Sequence, residues 1–249
     1  MEFSYIIPFK YSEDRLQTLR KVLSNVRGFG CEIIVIEQGT ESILPTKGVL
    51  NNEKYIFLNN PLPFNKAWSL NVAWKESKND VVVFGDADNM ISKENLFKSL
   101  EELNEFEFVS PHNKLIDLEP LENGLENDKI FEIKRHFRGE FDHQKMPLCG
   151  GTTIFKKESL EKIGGWPEEF FGWGAEDDAM SIKVRHFLKW KEMDFACYHL
   201  YHERVVPIRD FYYRNLQIYN NYLNAPKDKL EEYINNVKPS IGDKNKKLS

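Results

Sequence analysis

The stretch VVVFGDAD at residues 81–88 decides how this sequence folds. A strand-length apolar run is followed directly by an Asp-x-Asp pair, Asp86 and Asp88. The run predicts a β-strand, and the pair would lie at its carboxyl end. In open α/β sheets, ligands bind outside the carboxyl ends of the strands. The stretch therefore predicts a strand that ends in a ligand-binding rim.

The chain on either side of this stretch alternates between strand and helix patterns. CEIIVIEQ (31–38) is a continuous apolar run rich in β-branched residues, which predicts a strand buried on both faces. Further strands are expected at FSYIIP (3–8), ended by Pro8, and at YIFLNN (55–60). Apolar spacing predicts helices over 13–26, 65–78 and 93–104, the last capped by Ser92. This order predicts an α/β fold with a mostly parallel sheet covered by helices, in which Pro8, Gln38 and the Asp86/Asp88 pair share one rim.

The second half of the chain is less regular. Residues 111–146 are polar and carry turn signals at Asn123-Gly124 and Arg138-Gly139, so we expect a loop or hairpin insertion there. The aromatic segment 211–223 is expected to pack on the domain as a helix or loop, with contact to a membrane as the alternative. We predict one domain over 1–224, then a charged helix and tail over 225–249 whose last residues, DKNKKLS, fray.

Composition excludes several classes of protein. The 249 residues are 41% hydrophobic and 29% charged, which is ordinary globular usage, and the formal net charge is −5. No run of basic residues indicates a nucleic-acid partner. The sequence shows neither a signal peptide nor an 18-residue apolar span, and Cys31, Cys149 and Cys197 fit no zinc spacing, so we expect a cytoplasmic protein with reduced cysteines.

Two clusters contain candidate metal ligands. Asp86 and Asp88 offer the oxygen ligands that Mn²⁺ or Mg²⁺ prefers, although Asp residues are also common in turns. His199 and His202 are three residues apart, and manganese accepts a mixed carboxylate and imidazole shell. A pair of hydrogen-bonded histidines without a metal is the alternative for the second cluster.

The most specific motif is FFGWGAEDDAM at 170–180. Glycines on both sides of Trp173 let the backbone approach a ligand closely, and the indole can line a sugar. A carboxylate beside it could act as a general base. The alternative is a glycine-rich loop that begins an acidic helix, since carboxylates are favourable at a helix N-terminus. The two interpretations are compatible.

FGWGAEDDA resembles the Trp-Gly-x-Glu-Asp signature of beta-1,4-galactosyltransferases and of related bacterial family 2 enzymes that build chondroitin-like polymers. The resemblance extends in the same order over about 200 residues. It includes IIPFK (6–10), IVIEQG (34–39), FNKAWSLNVA (64–73), FGDADNM (84–90) and the stretch from CGGTTIF to WGAEDD (149–178). It implies a GT-A fold and an inverting, metal-dependent glycosyltransferase, with a nucleotide-binding half at about 1–110 and an acceptor and catalytic half at about 147–210.

The resemblance also implies roles for individual residues. Asp177 would be the catalytic base, Trp173 would line the sugar site and Glu176 would contact a sugar. Asp88 would be the direct metal ligand, with Asp86 near the metal or the ribose. The family alignments disagree over which of His199 and His202 is the primary metal ligand. The residues that would meet the donor are Pro8, Phe9, Lys10, Gln38, Asn65, Lys66, Asp86, Gly150 and Gly151.

The implied donor is a UDP-sugar such as a galactose or N-acetylgalactosamine donor, and the acceptor is a glycan or glycolipid. The sequence departs from the family near Ser12, where a second basic residue is replaced, and it matches poorly over 105–147. Two other functions stay open, a nucleotidyltransferase-like enzyme on the same sheet and a non-catalytic carbohydrate-binding module. The sugar, the linkage and the oligomeric state are not determined by these motifs.

Overall fold

The computed structural model describes residues 1–135, 150–203 and 206–246. Within these residues the strands are Ser4–Lys10 (β1), Glu32–Gly39 (β2), Lys54–Asn59 (β3), Val81–Gly85 (β4), Asn89–Met90 (β5), Phe108–Ser110 (β6), Lys114–Asp117 (β7), Thr152–Lys156 (β8), Trp190–Glu192 (β9) and Ala196–His199 (β10). The helices are Glu13–Val26 (α1), Lys66–Glu76 (α2), Lys93–Glu101 (α3), Asn127–Phe131 (α4), Lys157–Lys162 (α5), Glu176–Phe187 (α6), Arg209–Asn224 (α7) and Lys227–Val237 (α8).

The strands form a large sheet and a small one. The large sheet has the order β3-β2-β1-β4-β8-β6-β9, and the small sheet has the order β5-β10-β7. Strands β1 to β4 are mutually parallel, whereas β8 runs antiparallel to both of its neighbours. The predicted mostly parallel sheet is therefore confirmed, with β8 as an exception that the sequence pattern did not predict.

Both faces of the central strands are buried. Along β1, Tyr5 and Ile7 pack into one hydrophobic cluster with α1, while Ile6 packs into a second cluster with α2. Alternate side chains of a strand point to opposite faces, so a strand between two helical layers must be apolar at nearly every position. Val83 and Phe84 of β4 divide between the two clusters in the same way.

The first strand is longer than expected. It continues through Pro8 to Lys10, so the prediction that Pro8 ends it is wrong. Strand β4 pairs only with Ser4–Ile6, and beyond that point β1 is paired on the β2 side alone. A proline is tolerated there for the same reason as on an edge strand, because no ladder hydrogen bond is lost on the open side.

The segment predicted as a loop or hairpin insertion has a different structure in its described part. Strand β7 lies within it and pairs in parallel with β10, about 80 residues later in the chain, so it is not half of a hairpin. Asn123 does lie in a short 3₁₀ helix, at residues 120–124. The second turn signal, Arg138-Gly139, lies outside the described residues, as does Cys149.

The carboxyl-terminal tail is anchored up to residue 246, which corrects the prediction that it frays from 243. Trp68 Nε1 donates to the Asp243 carbonyl at 2.9 Å, and the Gly242 N–H donates to Glu168 at 2.6 Å. Glu168 also accepts from Asn71 and pairs with Lys246. This buried carboxylate joins α2, the loop before α6 and the tail. The segment 211–223, expected to pack on the domain as a helix or loop, lies in α7, which packs against α6.

No helix in the described part of the chain is long and apolar enough to cross a bilayer. Contact with a membrane surface stays a prediction. Cys31 and Cys197 are not in a disulfide.

Candidate active site

Three side chains that can ligate a metal meet at the rim of the two sheets. Oxygen or nitrogen atoms of Asp88, His199 and His202 all lie within 4.8 Å of one another. The pairing of β5 with β10 sets His199 opposite Asn89, and the Leu200 N–H donates to the Asp88 carbonyl at 2.7 Å. These backbone contacts join segments 110 residues apart. Both predicted histidines therefore lie beside Asp88.

Each histidine is oriented by a second contact. His199 Nδ1 lies 3.0 Å from Asp117 Oδ1, because β7 pairs with β10 in the register that aligns these residues. His202 Nδ1 lies 2.9 Å from the Glu203 carbonyl, which can only accept, so this nitrogen donates. Metal-ligating histidines commonly have such partners, since these fix the tautomer and the ring orientation.

The contact between Asp88 and His202 requires a cation. Asp88 Oδ2 lies 3.2 Å from His202 Nε2, and both atoms bear lone pairs when the imidazole is neutral with its proton on Nδ1. Either a proton or a metal ion must therefore lie between them. Burial opposes ionisation of Asp88, but the His202 hydrogen bond and the charges of His199 and Arg15 lower its pKa to about 2. The same hydrogen bond raises the pKa of His202.

The donor set fits a divalent cation such as manganese. It combines one ionised carboxylate with two imidazoles and has no thiolate, which is the mixed oxygen and nitrogen shell that manganese accepts. Asp86, which was predicted to be near the metal or the ribose, is not part of this group of three. Its Oδ1 lies 3.6 Å from Lys66 Nζ, and its Oδ2 accepts from the Gly151 N–H at 3.1 Å.

Next to the three ligands, one lysine lies among three carboxylates. Lys66 Nζ is 3.0 Å from Asp177 Oδ1 and 3.2 Å from Glu176 Oε1, in addition to its contact with Asp86. Lys66 begins α2, and Glu176 and Asp177 begin α6, so the amino ends of two helices meet here. The cluster contains three carboxyl groups and one ammonium.

These charges shift the pKa values of the cluster. Burial opposes the charged form of Lys66, but Asp177, Asp86 and Glu176 together hold its pKa well above the ordinary range. Burial raises the pKa of Asp177 to about 7; Lys66 opposes this rise, and the neighbouring carboxylates of Glu176 and Asp86 add to it. A carboxyl group that titrates near neutral pH is suited to take up a proton during a reaction.

Gln38 and Asn65, both predicted to meet the nucleotide, instead support Lys66. The Gln38 side chain donates to the Asn65 carbonyl and to Ser69, and it accepts from the Asn65 N–H. Asn65 caps α2 through the Trp68 N–H and donates to the Glu168 carbonyl. The side chains of Gln38 and Asn65 are buried and hydrogen-bonded to protein partners, so the prediction that they contact a ligand is corrected to a supporting role.

Pro8, Phe9 and Lys10, the predicted donor contacts of the segment IIPFK (6–10), lie partly in the core and partly at the rim. Pro8 is buried and the Phe9 ring packs in the core, so the Phe9 side chain cannot contact a nucleotide. Lys10 is exposed at the end of β1, and its ammonium lies 3.4 Å from the Leu62 carbonyl. Of the three, Lys10 is the side chain that a ligand could reach.

Gly150 and Gly151 bring backbone close to the carboxylates. Both have positive φ, 82° and 80°, where a residue with a side chain would be strained. A Cβ at Gly151 would lie 2.8 Å from His112 Nε2, and a Cβ at Gly150 would lie 3.4 Å from Asp177 Oδ2. His112 was not predicted; it is fully buried and accepts from the Thr152 N–H at 3.2 Å.

Trp173 projects from the loop before α6, with 67% of its surface exposed. Its ring stacks on Tyr212 of α7, with centroids 5.9 Å apart and planes 19° apart. The buried Asn215 donates to the carbonyls of Phe171 and Trp173, which ties the loop to α7. Tyr212 was not singled out, although the aromatic segment that contains it was visible in the sequence. The exposed indole, stacked on Tyr212, thus lies in the loop that runs into Glu176 and Asp177.

Arg15 is a further residue that the sequence motifs missed. Its Nη1 lies 3.4 Å from Asp88 Oδ2, and about a third of its side chain is exposed. Arg15 lies in the first turn of α1, so this helix brings the guanidinium to Asp88.

Two protein-family models match this sequence. The family model described as "Glycosyl transferase family 2" matches residues 4–164, and the model described as "N-terminal domain of galactosyltransferase" matches residues 135–203. The chain belongs to glycosyl transferase family 2. The resemblance predicted from the motifs is confirmed.

Curated relatives cover part of the chain. Human beta-1,4-galactosyltransferase 6 is 27% identical over 137 residues, which are 50% of this chain and 27% of the relative. Beta-1,4-galactosyltransferase 5 of Danio rerio is 26% identical over 149 residues, 55% of this chain and 28% of the relative. The match thus spans about a quarter of the length of these relatives.

Solved structures match over nearly the whole chain. S. aureus TarS 1–349 has a TM-score of 0.60 at 18% identity and covers 98% of this chain and 74% of its own. GalNAc-T7 in complex with UDP, GalNAc and Mn²⁺ has a TM-score of 0.59 at 12% identity and covers 95% of this chain and 55% of its own. At these identities the likeness establishes the fold, which is that of the GT-A glycosyltransferases. The predicted fold class is confirmed.

Proposed function

We propose that this protein is an inverting glycosyltransferase that uses a divalent metal to move a sugar from a nucleotide-diphosphate donor to an acceptor hydroxyl. The observation that carries the proposal is the adjacency of two charge systems. One is the group of Asp88, His199 and His202; the other is the Lys66 cluster that contains Asp177. Asp86 lies between them, within 3.6 Å of Lys66 and two residues from Asp88.

The metal-ligating side would hold the donor. Manganese bound by Asp88 and the two histidines would supply positive charge to the diphosphate as it leaves. Among the described residues, Lys10 at the end of β1 and Lys66 at the start of α2 could contact the nucleotide. Strands β1 and β4 are parallel neighbours, so their carboxyl ends lie at one rim of the sheet. Lys10, at the end of β1, and Asp88, just after β4, are therefore on the same rim.

Asp177 would act as the general base toward the acceptor. Its carboxylate would take the proton from the attacking hydroxyl while that oxygen displaces the diphosphate from the anomeric carbon in a single step. A pKa of about 7 leaves this group partly ionised near neutral pH. A single displacement inverts the anomeric configuration, which makes the stereochemistry of the product a direct test.

Trp173 would line the acceptor sugar, and its stack on Tyr212 holds the indole at the edge of the site. An aromatic face suits the apolar face of a sugar ring, while Glu176, 3.2 Å from Lys66, could accept a hydrogen bond from a sugar hydroxyl. A glycan or glycolipid acceptor fits this face. Among the solved structures, a Drosophila beta-1,4-galactosyltransferase 7 in complex with xylobiose has a TM-score of 0.51 at 17% identity and covers 77% of this chain and 64% of its own.

The donor that we propose first is a UDP-sugar, and UDP-galactose in particular. The curated relatives are beta-1,4-galactosyltransferases, which supports galactose. Both proposed halves contribute to each side of the site, since Asp88 and Lys66 come from about 1–110 while His199 and Asp177, their partners, come from about 147–210.

A binding screen followed by a transfer assay tests the proposal. UDP-, GDP- and CMP-sugars are compared for thermal stabilisation with and without MnCl₂, because a ligand that binds only the folded state raises the melting temperature. We expect stabilisation by one nucleotide class that depends on the metal, and transfer with inversion to a saccharide acceptor. Asp177→Asn should keep the stabilisation and lose about 100- to 10,000-fold in turnover, the usual contribution of a general base.

Three outcomes would contradict the proposal. Binding of a saccharide without any nucleotide would point to a carbohydrate-binding module. Release of pyrophosphate from a nucleoside triphosphate would point to a nucleotidyltransferase. Full activity of Asp177→Asn would reject the assigned base.

A further inference from the structure

We propose that Arg15 neutralises Asp88 before the metal binds and then turns to the diphosphate of the nucleotide donor. Arg15 would thus be a donor-binding residue that links metal binding to nucleotide binding. The inference rests on the proposed function, and it assigns a residue that the sequence motifs did not include.

The first observation is the contact itself. Arg15 Nη1 lies 3.4 Å from Asp88 Oδ2, the same oxygen that lies 3.2 Å from His202 Nε2. A guanidinium carries a permanent positive charge, so Asp88 is compensated by a cation from the protein. A divalent ion on Asp88 would bring two positive centres together, and the guanidinium would be repelled from its position.

The second observation is the freedom of Arg15 to move. About a third of its side chain is exposed, whereas the side chain of Asp88 is 8% exposed. Its backbone is held, because the Arg15 N–H donates to Ser12 at the start of α1. The long side chain can therefore swing while its anchor on the helix stays in place.

The third argument concerns where the guanidinium would go. A diphosphate bound to a metal on Asp88 would bring anionic oxygens to the same rim as Arg15. A guanidinium presents a planar fork of donors that matches phosphate oxygens. Ser12 caps the start of α1, and Arg15 follows within one turn. Arg15 therefore presents its basic group at the same rim as Asp88.

The proposal predicts opposite effects of one substitution on two ligands. In Arg15→Gln, Mn²⁺ alone should bind as tightly as in the native protein or about two- to five-fold more tightly, because the ion pair that competes with the metal for Asp88 is removed. UDP or GDP in the presence of Mn²⁺ should bind about ten-fold or more weakly, because charge-assisted bonds to phosphate are lost. Arg15→Lys should keep the native Mn²⁺ affinity and recover part of the nucleotide affinity.

The experiment measures Mn²⁺ binding by titration calorimetry, then UDP and GDP binding at saturating Mn²⁺, in the 249-residue chain. Arg20→Gln is the matched control, since Arg20 lies on the same helix and donates to the Lys47 carbonyl, away from Asp88. Melting temperatures show whether each variant is folded. No turnover is needed for any of these readouts.

The outcomes separate the two proposals. If the native protein binds neither UDP nor GDP with manganese, the proposed function fails and this inference fails with it. If the native protein binds one of them and Arg15→Gln binds it equally well, only the role of Arg15 is overturned. Weaker Mn²⁺ binding in Arg15→Gln would also overturn it, since Arg15 would then support the metal ligands rather than compete with the ion.

Discussion

Removal of the positive charge of Lys66 should change the pH at which the enzyme works. Lys66 Nζ lies 3.0 Å and 3.1 Å from the two oxygens of Asp177, and 3.2 Å from Glu176. In Lys66→Met, Asp177 loses its counter-ion but keeps its burial and its acidic neighbours. Both remaining influences raise the pKa, so the variant should need a higher pH to ionise the base.

The size of the effect follows from the geometry. An opposite charge at such a distance lowers the pKa of a carboxyl group by about 1–3 units, so its loss should raise the pKa of Asp177 by about that much. With a native pKa of about 7, half of Asp177 is ionised at neutral pH. The ionised fraction in the variant, and with it kcat/KM at pH 7, should fall by roughly 5- to 500-fold.

The direction of the pH dependence distinguishes a raised pKa of Asp177 from a general loss of activity in the variant. Activity requires ionised Asp177, so kcat/KM of the native enzyme should rise with pH through about 7 and then level off. In Lys66→Met the rise should occur at higher pH, so the ratio of native to variant activity shrinks as pH increases. Lys66→Arg keeps a positive charge and should keep the native profile.

The assay is kcat/KM for sugar transfer at saturating Mn²⁺ between about pH 6 and 9, because kcat/KM reports the titration of the free enzyme. Lys66 could also contact the donor, and loss of that contact would lower activity by a constant factor at every pH. An unchanged acidic limb in Lys66→Met would therefore refute the claim that Lys66 sets the ionisation of Asp177.

Three further changes test other parts of the site and the fold. Asp88→Ala should weaken Mn²⁺-dependent nucleotide binding without loss of fold, and unchanged binding by calorimetry would reject Asp88 as a ligand. Trp173→Ala should raise the acceptor KM about ten-fold while donor binding is kept, since an exposed ring stacked on Tyr212 supports a sugar rather than the core. Glu168→Ala should lower the free energy of unfolding by about 2–4 kcal/mol, because the buried donors of Asn71 and Gly242 lose their acceptor; a melting temperature equal to that of the native protein would contradict this.

Much of the fold could be predicted because its signals are local. The helix predicted over 13–26 has those bounds in the structure, and Ser92 caps α3 as expected. Apolar periodicity and capping depend on neighbours within one turn, so they are visible in the sequence. Strand β8 was missed because a strand of five residues between glycines and a short helix has too little pattern of its own.

The site could be predicted as a set of residues, but not as a set of contacts. Asp88, His199 and His202 were candidates before their proximity was known, and Asp177 was singled out by its motif. The roles of Gln38 and Asn65 were misassigned because hydrogen bonds between the Gln38 side chain and the Asn65 backbone, 27 residues apart, leave no trace in spacing.

The Asp-x-Asp pair after VVVF was visible from the sequence alone, together with its place at the end of a buried strand. Only the tertiary structure decided that Asp88 faces two histidines and Arg15 while Asp86 faces Lys66. The cause is strand register: pairing of β5 with β10 selects the neighbours of Asp88, and the meeting of α2 with α6 brings Lys66 to Asp177 across 111 residues. Residue type and spacing determine which chemical groups are available, whereas the pairing of elements distant in sequence determines which of these groups come into contact.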